Sequence, residues 1–320
     1  MNRRTVLASV SSVLFAGCLT ESSPGGSSTN EPNTLTAGTT QTTQMGETTT
    51  HGTTTTRSPN LQIPDENHCP PFGDDEKQVI CYENADSETN LLMTPSKAQA
   101  ELPEDTVSFT LSNETGTTFT TNNYDWDVWK QVDSEWFYIA PRAVPEPAMM
   151  LKSGGSHTWT LTIDNTNLED AIGTTGGTEE VTLAGLGGGI YAFGISGWFQ
   201  GQNYDASVGV ATRFELVGDS LSLTPTNDLT EVNRDGDEKH VRASETDVTY
   251  RATRVENPDE EPMRKLPEQV IRITPIRNLL ASFEDGVSRV RLDGRNTYLG
   301  ETPQHIEYEG VTYRIETVEE

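Results

Sequence analysis

Val107-Ser108-Phe109-Thr110-Leu111-Ser112 alternates a large apolar residue with a small hydroxylated one at every step. Successive strand side chains point to opposite faces, so this period of two marks a strand with one face on a core and the other in water. Asn113-Glu114-Thr115-Gly116 then supplies turn residues. The alternation returns downstream, with His157, Trp159, Leu161 and Ile163 on one face and Thr158, Thr160 and Thr162 on the other. Between the two lie a candidate strand over Thr117 to Asn122, the alternating Tyr124, Trp126 and Val128, a turn over Gln131 to Glu135, and a return over Trp136 to Ile139. Pro141, Pro145 and Pro147 mark a loop or an edge, because proline has no N–H for a ladder. A long loop over 165–180 precedes apolar runs at Val181 to Leu183, Gly189 to Ile195, Val208 to Val217 and Leu221 to Leu223. Short strands separated by turn signals predict a β-sandwich over 63–228.

The character changes after residue 229. Asn233 to Glu238 reads as a charged turn, and Thr246 to Val255 and Gln269 to Ile273 as strands. Thr274 followed by Pro275 reads as a helix start, and Ile276, Leu279, Leu280 and Phe283 recur at helical spacing. Val287 to Leu292 is a predicted strand, and Ile306 to Tyr308 with Val311 to Ile315 a hairpin across Glu309-Gly310. The expected fold is therefore mainly β, with a small α+β domain over 229–320 behind the sandwich.

The chain begins with Arg3 and Arg4, followed by an apolar run from Thr5 to Gly17 that closes on Phe15-Ala16-Gly17-Cys18. Thirteen helical residues reach ~20 Å, short of the ~30 Å of a bilayer core. The layout is that of a secretory signal over 1–18. Paired arginines before Thr5-Val6-Leu7 resemble a twin-arginine export motif. Ala16-Gly17-Cys18 resembles a lipobox, with Phe15 where leucine is usual, and that resemblance implies lipid on Cys18. From 19 to 62 the chain is rich in Thr, Ser, Gly and Pro, too poor in apolar residues to offset ordering entropy, and is expected to be a disordered stalk. Such stalks are frequently O-glycosylated.

Of the 320 residues, 22 are Lys or Arg and 49 Asp or Glu, a formal net charge of -27. Such a surface repels nucleic acid and anionic headgroups. With Cys18 assigned to lipid, Cys69 and Cys81 are an even pair in an exported chain and read as a disulfide; a metal site beside His68 lacks further ligands at zinc-like spacing. High acid, scarce lysine and abundant threonine behind the export signal resemble surface lipoproteins of salt-loving archaea. The pattern of 107–115, Trp126, Trp136, Gly154-Gly155 and 159–163 resembles the immunoglobulin-like domains of bacterial and archaeal surface lipoproteins. It is also similar to the intracellular proteinase inhibitor family of bacilli, which implies a sandwich but transfers no inhibitory residue.

The sequence offers little chemistry. His51, His68, His157, His240 and His305 are isolated from one another. Gly194-Ile-Ser196-Gly197 lacks the final glycine of a nucleophile elbow, and Gly185 to Gly189 fits neither a dinucleotide nor a P-loop pattern, reading instead as a turn. Asp235 and Asp237 flank Gly236 but lack the distal Glu of a calcium loop. No catalytic residue, metal or cofactor is expected. Asn113-Glu114-Thr115 is a sequon on a predicted turn, hence a candidate N-glycosylation site. Trp129 is out of step with Trp126 and Val128 and should point away from the core; with Tyr124 and Trp198 it is the candidate binding surface for a peptide or sugar. The expectation is a lipid-anchored protein on the outer face of the cell membrane, with a non-catalytic head that binds a surface protein or glycan or contributes to the envelope. A proteinase inhibitor and an envelope-polymer hydrolase are the alternatives.

Overall fold

Glu104–Asn113 is a ten-residue strand with Val107, Phe109 and Leu111 fully buried. The computed structural model that contains it describes residues 69–72, 78–171, 179–300 and 302–318, all within one compact unit. The signal over 1–18, Cys18, the stalk over 19–62, His51 and His68 lie outside the described residues.

Eleven strands come first among the described residues: β1 (Val79–Cys81), β2 (Leu91–Pro95), β3 (Gln99–Glu101), β4 (Glu104–Asn113), β5 (Phe119–Val132), β6 (Glu135–Ala140), β7 (Met149–Leu151), β8 (Gly155–Asp164), β9 (Glu180–Leu183), β10 (Gly189–Phe199) and β11 (Val208–Val217). One sheet runs β2-β4-β8-β9; the other runs β1-β11-β10-β5-β6, with β3 added beside β11 and β7 beside β5. Both sheets supply one apolar core. At its centre Phe109 of β4 stacks on Phe193 of β10 at 4.3 Å, and Trp126 and Trp159 flank the same ring at 6.1 and 5.9 Å. The two strands expected within 117–128 are one 14-residue strand, β5. It turns at Asp133 and Ser134, whose φ values of 50° and 71° suit the right-handed twist of a tight hairpin.

The remainder forms β12 (Thr230–Asp235), β13 (Glu238–Arg242), β14 (Val248–Arg254), β15 (Met263–Arg264), α1 (Pro267–Val270), α2 (Thr274–Ala281), β16 (Arg289–Gly294), β17 (Gln304–Tyr308) and β18 (Val311–Val318). The third sheet runs β12-β13-β16-β14-β18-β17-β15. Its inner face, with Val241, Tyr250, Leu292 and Ile315, packs on Ile276, Leu279 and Leu280 of α2 in a second apolar cluster. Gln269 to Ile273, expected as a strand, instead contains the end of α1. Pro267 suits a first helical turn, where its missing N–H goes unneeded, and the Leu266 N–H donates to Gln269 Oε1 at 3.0 Å. The strands on either side of Gly236 carried no apolar alternation; β12 is exposed along its whole length.

Candidate functional site

The outer face of the third sheet carries five arginines set among carboxylates. Alternation buries Val290 and Leu292 of β16, Tyr250 and Ala252 of β14, and Tyr313 and Ile315 of β18, so their neighbours point outward. Register then sets those neighbours in rows across the strands. One row reads Glu238, Arg289, Thr253, Arg314, His305. The next reads His240, Arg291, Arg251, Glu316, and a third Arg242, Asp293, Thr249, Val318. Neighbouring strands lie about 4.8 Å apart and outward residues on one strand about 6.7 Å apart. The first row continues to Asp235 of β12, and with Asp237 bonded to Arg289 the five arginines of the rows meet five carboxylates, so the face carries no formal net charge in a chain of net -27.

The carboxylates among them set the arginines' positions. Asp293 accepts from Arg242 and from His240, each at 2.9 Å, and from the Thr249 hydroxyl at 3.1 Å. Burial by itself would raise the Asp293 carboxyl, but these hydrogen bonds and the His240 charge outweigh it and hold the group below its usual range. Glu316 pairs with Arg314 at 2.9 Å and with Arg251 at 3.6 Å. Asp237, the calcium candidate of the hairpin turn, is instead taken up by the Ser288 hydroxyl and by Arg289 at 2.9 Å. A guanidinium has five N–H donors in a planar fork. Arg242, Arg289 and Arg314 thus keep donor capacity beyond their carboxylate contacts, and they are 51%, 46% and 43% exposed.

This sheet is fixed to the sandwich by a buried polar cluster. Lys130 and Tyr191 face the sandwich core from β5 and β10. The Glu268 carboxylate of α1 reaches between them: Oε1 accepts from Lys130 Nζ at 2.5 Å, from the Gly187 N–H at 3.1 Å and from the Tyr191 hydroxyl at 3.3 Å. Arg272 donates to the carbonyls of Ala184 and Gly185. Gly187 has to be glycine, since a Cβ there would lie 2.4 Å from the Leu221 nitrogen and 2.8 Å from Glu268. Burial pushes the Tyr191 phenol well up, the Glu268 charge adding to it, and brings Arg272 down to about 10 against the opposing pull of Tyr191 and Glu268. A second tie runs from Arg277 of α2, buried, to Glu169 at 3.0 Å and to the carbonyls of Leu168 and Thr224.

No family model and no curated protein matches the chain.

The aromatic residues singled out from the sequence do not form one surface. Trp129 does point away from the sandwich core, opposite Ala192, but it is only 8% exposed. Phe72 and Tyr138 meet its ring edge-on at 6.3 and 5.0 Å, so the indole is covered and the exposure that a binding surface would need is not met. Trp198 lies six residues further along β10, about 20 Å away, packed edge-on against Tyr204 at 5.9 Å. Tyr124 is half-buried on β5. Asn113 is fully buried at the end of β4, not displayed on a turn. Its Nδ2 donates to the carbonyls of Thr117 and Leu151, and its Oδ1 accepts from Thr115. In the folded chain that amide is committed to the turn and is closed to a glycan. Cys69 and Cys81 are paired, their Cα atoms 6.1 Å apart. His157 packs edge-on against Trp159 beside Asn123, and burial lowers its imidazole despite Glu179.

An open groove of about 630 Å³ lies elsewhere, lined by Glu83, Lys97, Gln99, Ile190, Arg213 and Glu215. Its polar groups pair locally, Arg213 with Glu83 at 3.8 Å, Lys97 with Asp105 at 2.5 Å and Gln99 with Glu215 at 2.7 Å. The arginine rows were missed in the sequence because they join residues as distant along the chain as Thr249 and Val318. The one signal was local, the alternation Arg289-Val-Arg291-Leu-Asp293.

Proposed function

We propose that this is a surface protein held in the outer leaflet of the cell membrane by lipid on Cys18, with a non-catalytic head of immunoglobulin-like build that binds an extracellular partner. The strand order β11-β10-β5-β6 facing β2-β4-β8, with β1 and β3 running parallel beside β11, supports the immunoglobulin-like part of this reading. The observation that carries the binding role is the concentration of five arginines on one exposed sheet face of a chain otherwise so acidic. No described helix is long and apolar enough to cross a membrane, so on this reading attachment rests on the lipid.

The test is mass spectrometry of the mature N-terminus together with cell fractionation of Cys18→Ser. A thioether lipid on Cys18, and release of the variant into the medium, are expected. If Cys18→Ser stays on cells as the parent does, the anchor reading fails.

A further inference from the structure

We propose that Lys130 and Glu268 react with each other in the folded protein to form a side-chain amide, a covalent link between the sandwich and the half of the chain built on the third sheet. The bond depends neither on the anchor nor on the arginine face.

The two groups are in contact and shielded from water: Lys130 Nζ lies 2.5 Å from Glu268 Oε1, and the side chains are 10% and 1% exposed. The carboxyl carbon is one bond beyond that oxygen, close to the ~3–3.5 Å of a near-attack arrangement. Oε1 also accepts from the Gly187 N–H at 3.1 Å and from the Tyr191 hydroxyl at 3.3 Å. Two donors converging on one carboxyl oxygen suit an oxygen that gains charge in a tetrahedral intermediate. Burial keeps the Tyr191 phenol protonated, so its donor persists. Gly189 leaves room for the end of the lysine, since a Cβ there would stand 3.1 Å from Lys130 Cε. The other carboxylate oxygen, Oε2, is buried and has no hydrogen-bond partner among the described residues. In an ion pair such an oxygen is a cost, because a buried charge is stable only when its remaining lone pairs are satisfied. In the amide that oxygen is gone.

The step balances without an oxidant or an activating group. The ammonium passes one proton to Oε2, leaving a neutral amine against a carboxylic acid. The Nζ lone pair attacks the carboxyl carbon, and the C=O electron pair moves onto Oε1 between Gly187 and Tyr191. A second proton passes from nitrogen to Oε2, the C–Oε2 bond breaks with its electron pair on oxygen, and water departs. The third proton remains as the amide N–H, and Oε1, now the amide oxygen, keeps both donors. One positive and one negative charge vanish together, so a buried ion pair becomes a neutral group. Lys97 and Asp105 show that distance alone does not select the site. They also stand 2.5 Å apart, but their side chains are 38% and 25% exposed. Water there favours the charged forms, and both Asp105 oxygens accept backbone N–H groups, of Glu101 and of Thr106. The Lys130–Glu268 ion pair is the state before reaction, and stability comparisons of the pair refer to that state.

The experiment is a tryptic peptide map of the full-length folded protein by mass spectrometry, taken at intervals after purification. Trypsin cuts after a free lysine but not after an acylated one. The link therefore appears as peptide 98–142 joined to peptide 266–272, lighter than their sum by one water. That species should accumulate with time. Only the separate peptides 98–130 and 266–272 after prolonged incubation would overturn the proposal. Lys130→Arg keeps a cation beside Glu268 and should give no link. Tyr191→Phe keeps both reacting groups and should slow the link at least about tenfold, because it removes one donor to the developing oxyanion. Linkage at the parent rate in Tyr191→Phe overturns the oxyanion site, and an equal loss of water between Lys97 and Asp105 overturns the role of burial. Should Tyr191→Phe fold poorly, the parent map with its Lys97–Asp105 control decides alone.

Discussion

The two large sheets treat their outer faces in opposite ways. On the sandwich sheet the outer positions Ala192, Gly194, Gly209 and Ala211 are small, and Phe72 lies in the space they leave. A Cβ on Gly194 or on Gly209 would come within 2.5 Å of the Phe72 ring. That face is closed by its own chain. On the third sheet the outer positions are arginines and carboxylates, and helices cover only the inner face. In both sheets the same alternation buries the inward residues. The inward set decides how the chain folds; the outward set is left to other uses, and there the sheets differ.

The comparison breaks most sharply at the tie between the halves. Glu268→Ala strands Lys130 as a buried unpaired charge and should cost about 3–5 kcal/mol, whereas replacing both partners by Lys130→Met/Glu268→Leu should recover most of it. Urea denaturation followed by tryptophan fluorescence, which reads the sandwich because all five tryptophans lie between 126 and 198, measures both variants. Equal losses in the single and double variants would show that the pair does not couple the halves.

Phe72→Ala comes next. Emptying the seat on the closed face should cost about 3 kcal/mol and expose Trp129, with a red shift of its emission. An unchanged midpoint would mean that the cover adds nothing to the sheet beneath.

Acid titration sharpens the comparison at an edge. Hydrogen bonds from the Lys97 ammonium first, then from the backbone N–H groups of Glu101 and Thr106, hold the Asp105 carboxyl at about 2, below its ordinary 3.8. A depressed folded value stabilises above the unfolded one and loses that stabilisation as pH falls. Parent and Asp105→Asn should therefore differ by about 1 kcal/mol near pH 6, allowing for solvent around the partly exposed Lys97, and converge as pH falls from about 4 to 2. A gap independent of pH would rule out the carboxylate as its source.

The smallest effect belongs to the open face. Arg314→Gln should change stability by less than about 0.5 kcal/mol, since exposed ion pairs contribute little. A loss as large as that of Phe72→Ala would make the arginine rows part of the framework.

Much of the sandwich was legible because a strand against a core repeats every second residue, as 107–112 and 157–163 do. The strands around Gly236 were not, since β12 buries nothing and leaves no period to read. The outward direction of Trp129 followed from parity alone, but its cover comes from Phe72, 57 positions earlier. Lys130 did leave a sign: it shares parity with Trp126 and Val128, so a charge was due to enter the core. Its partner Glu268, 138 residues on, stood just ahead of a segment taken for a strand, with no periodicity to mark it.

The Cys69–Cys81 bridge has a mechanical meaning. Tension reaching residue 69 along the preceding chain passes through the bridge to the end of β1 and on into β11, its parallel neighbour. The intervening loop is short-circuited, so Phe72 stays seated under a pull that would otherwise peel it away. A pull applied on the N-terminal side of Cys69 would be loaded at a covalent rivet rather than at the softest contact.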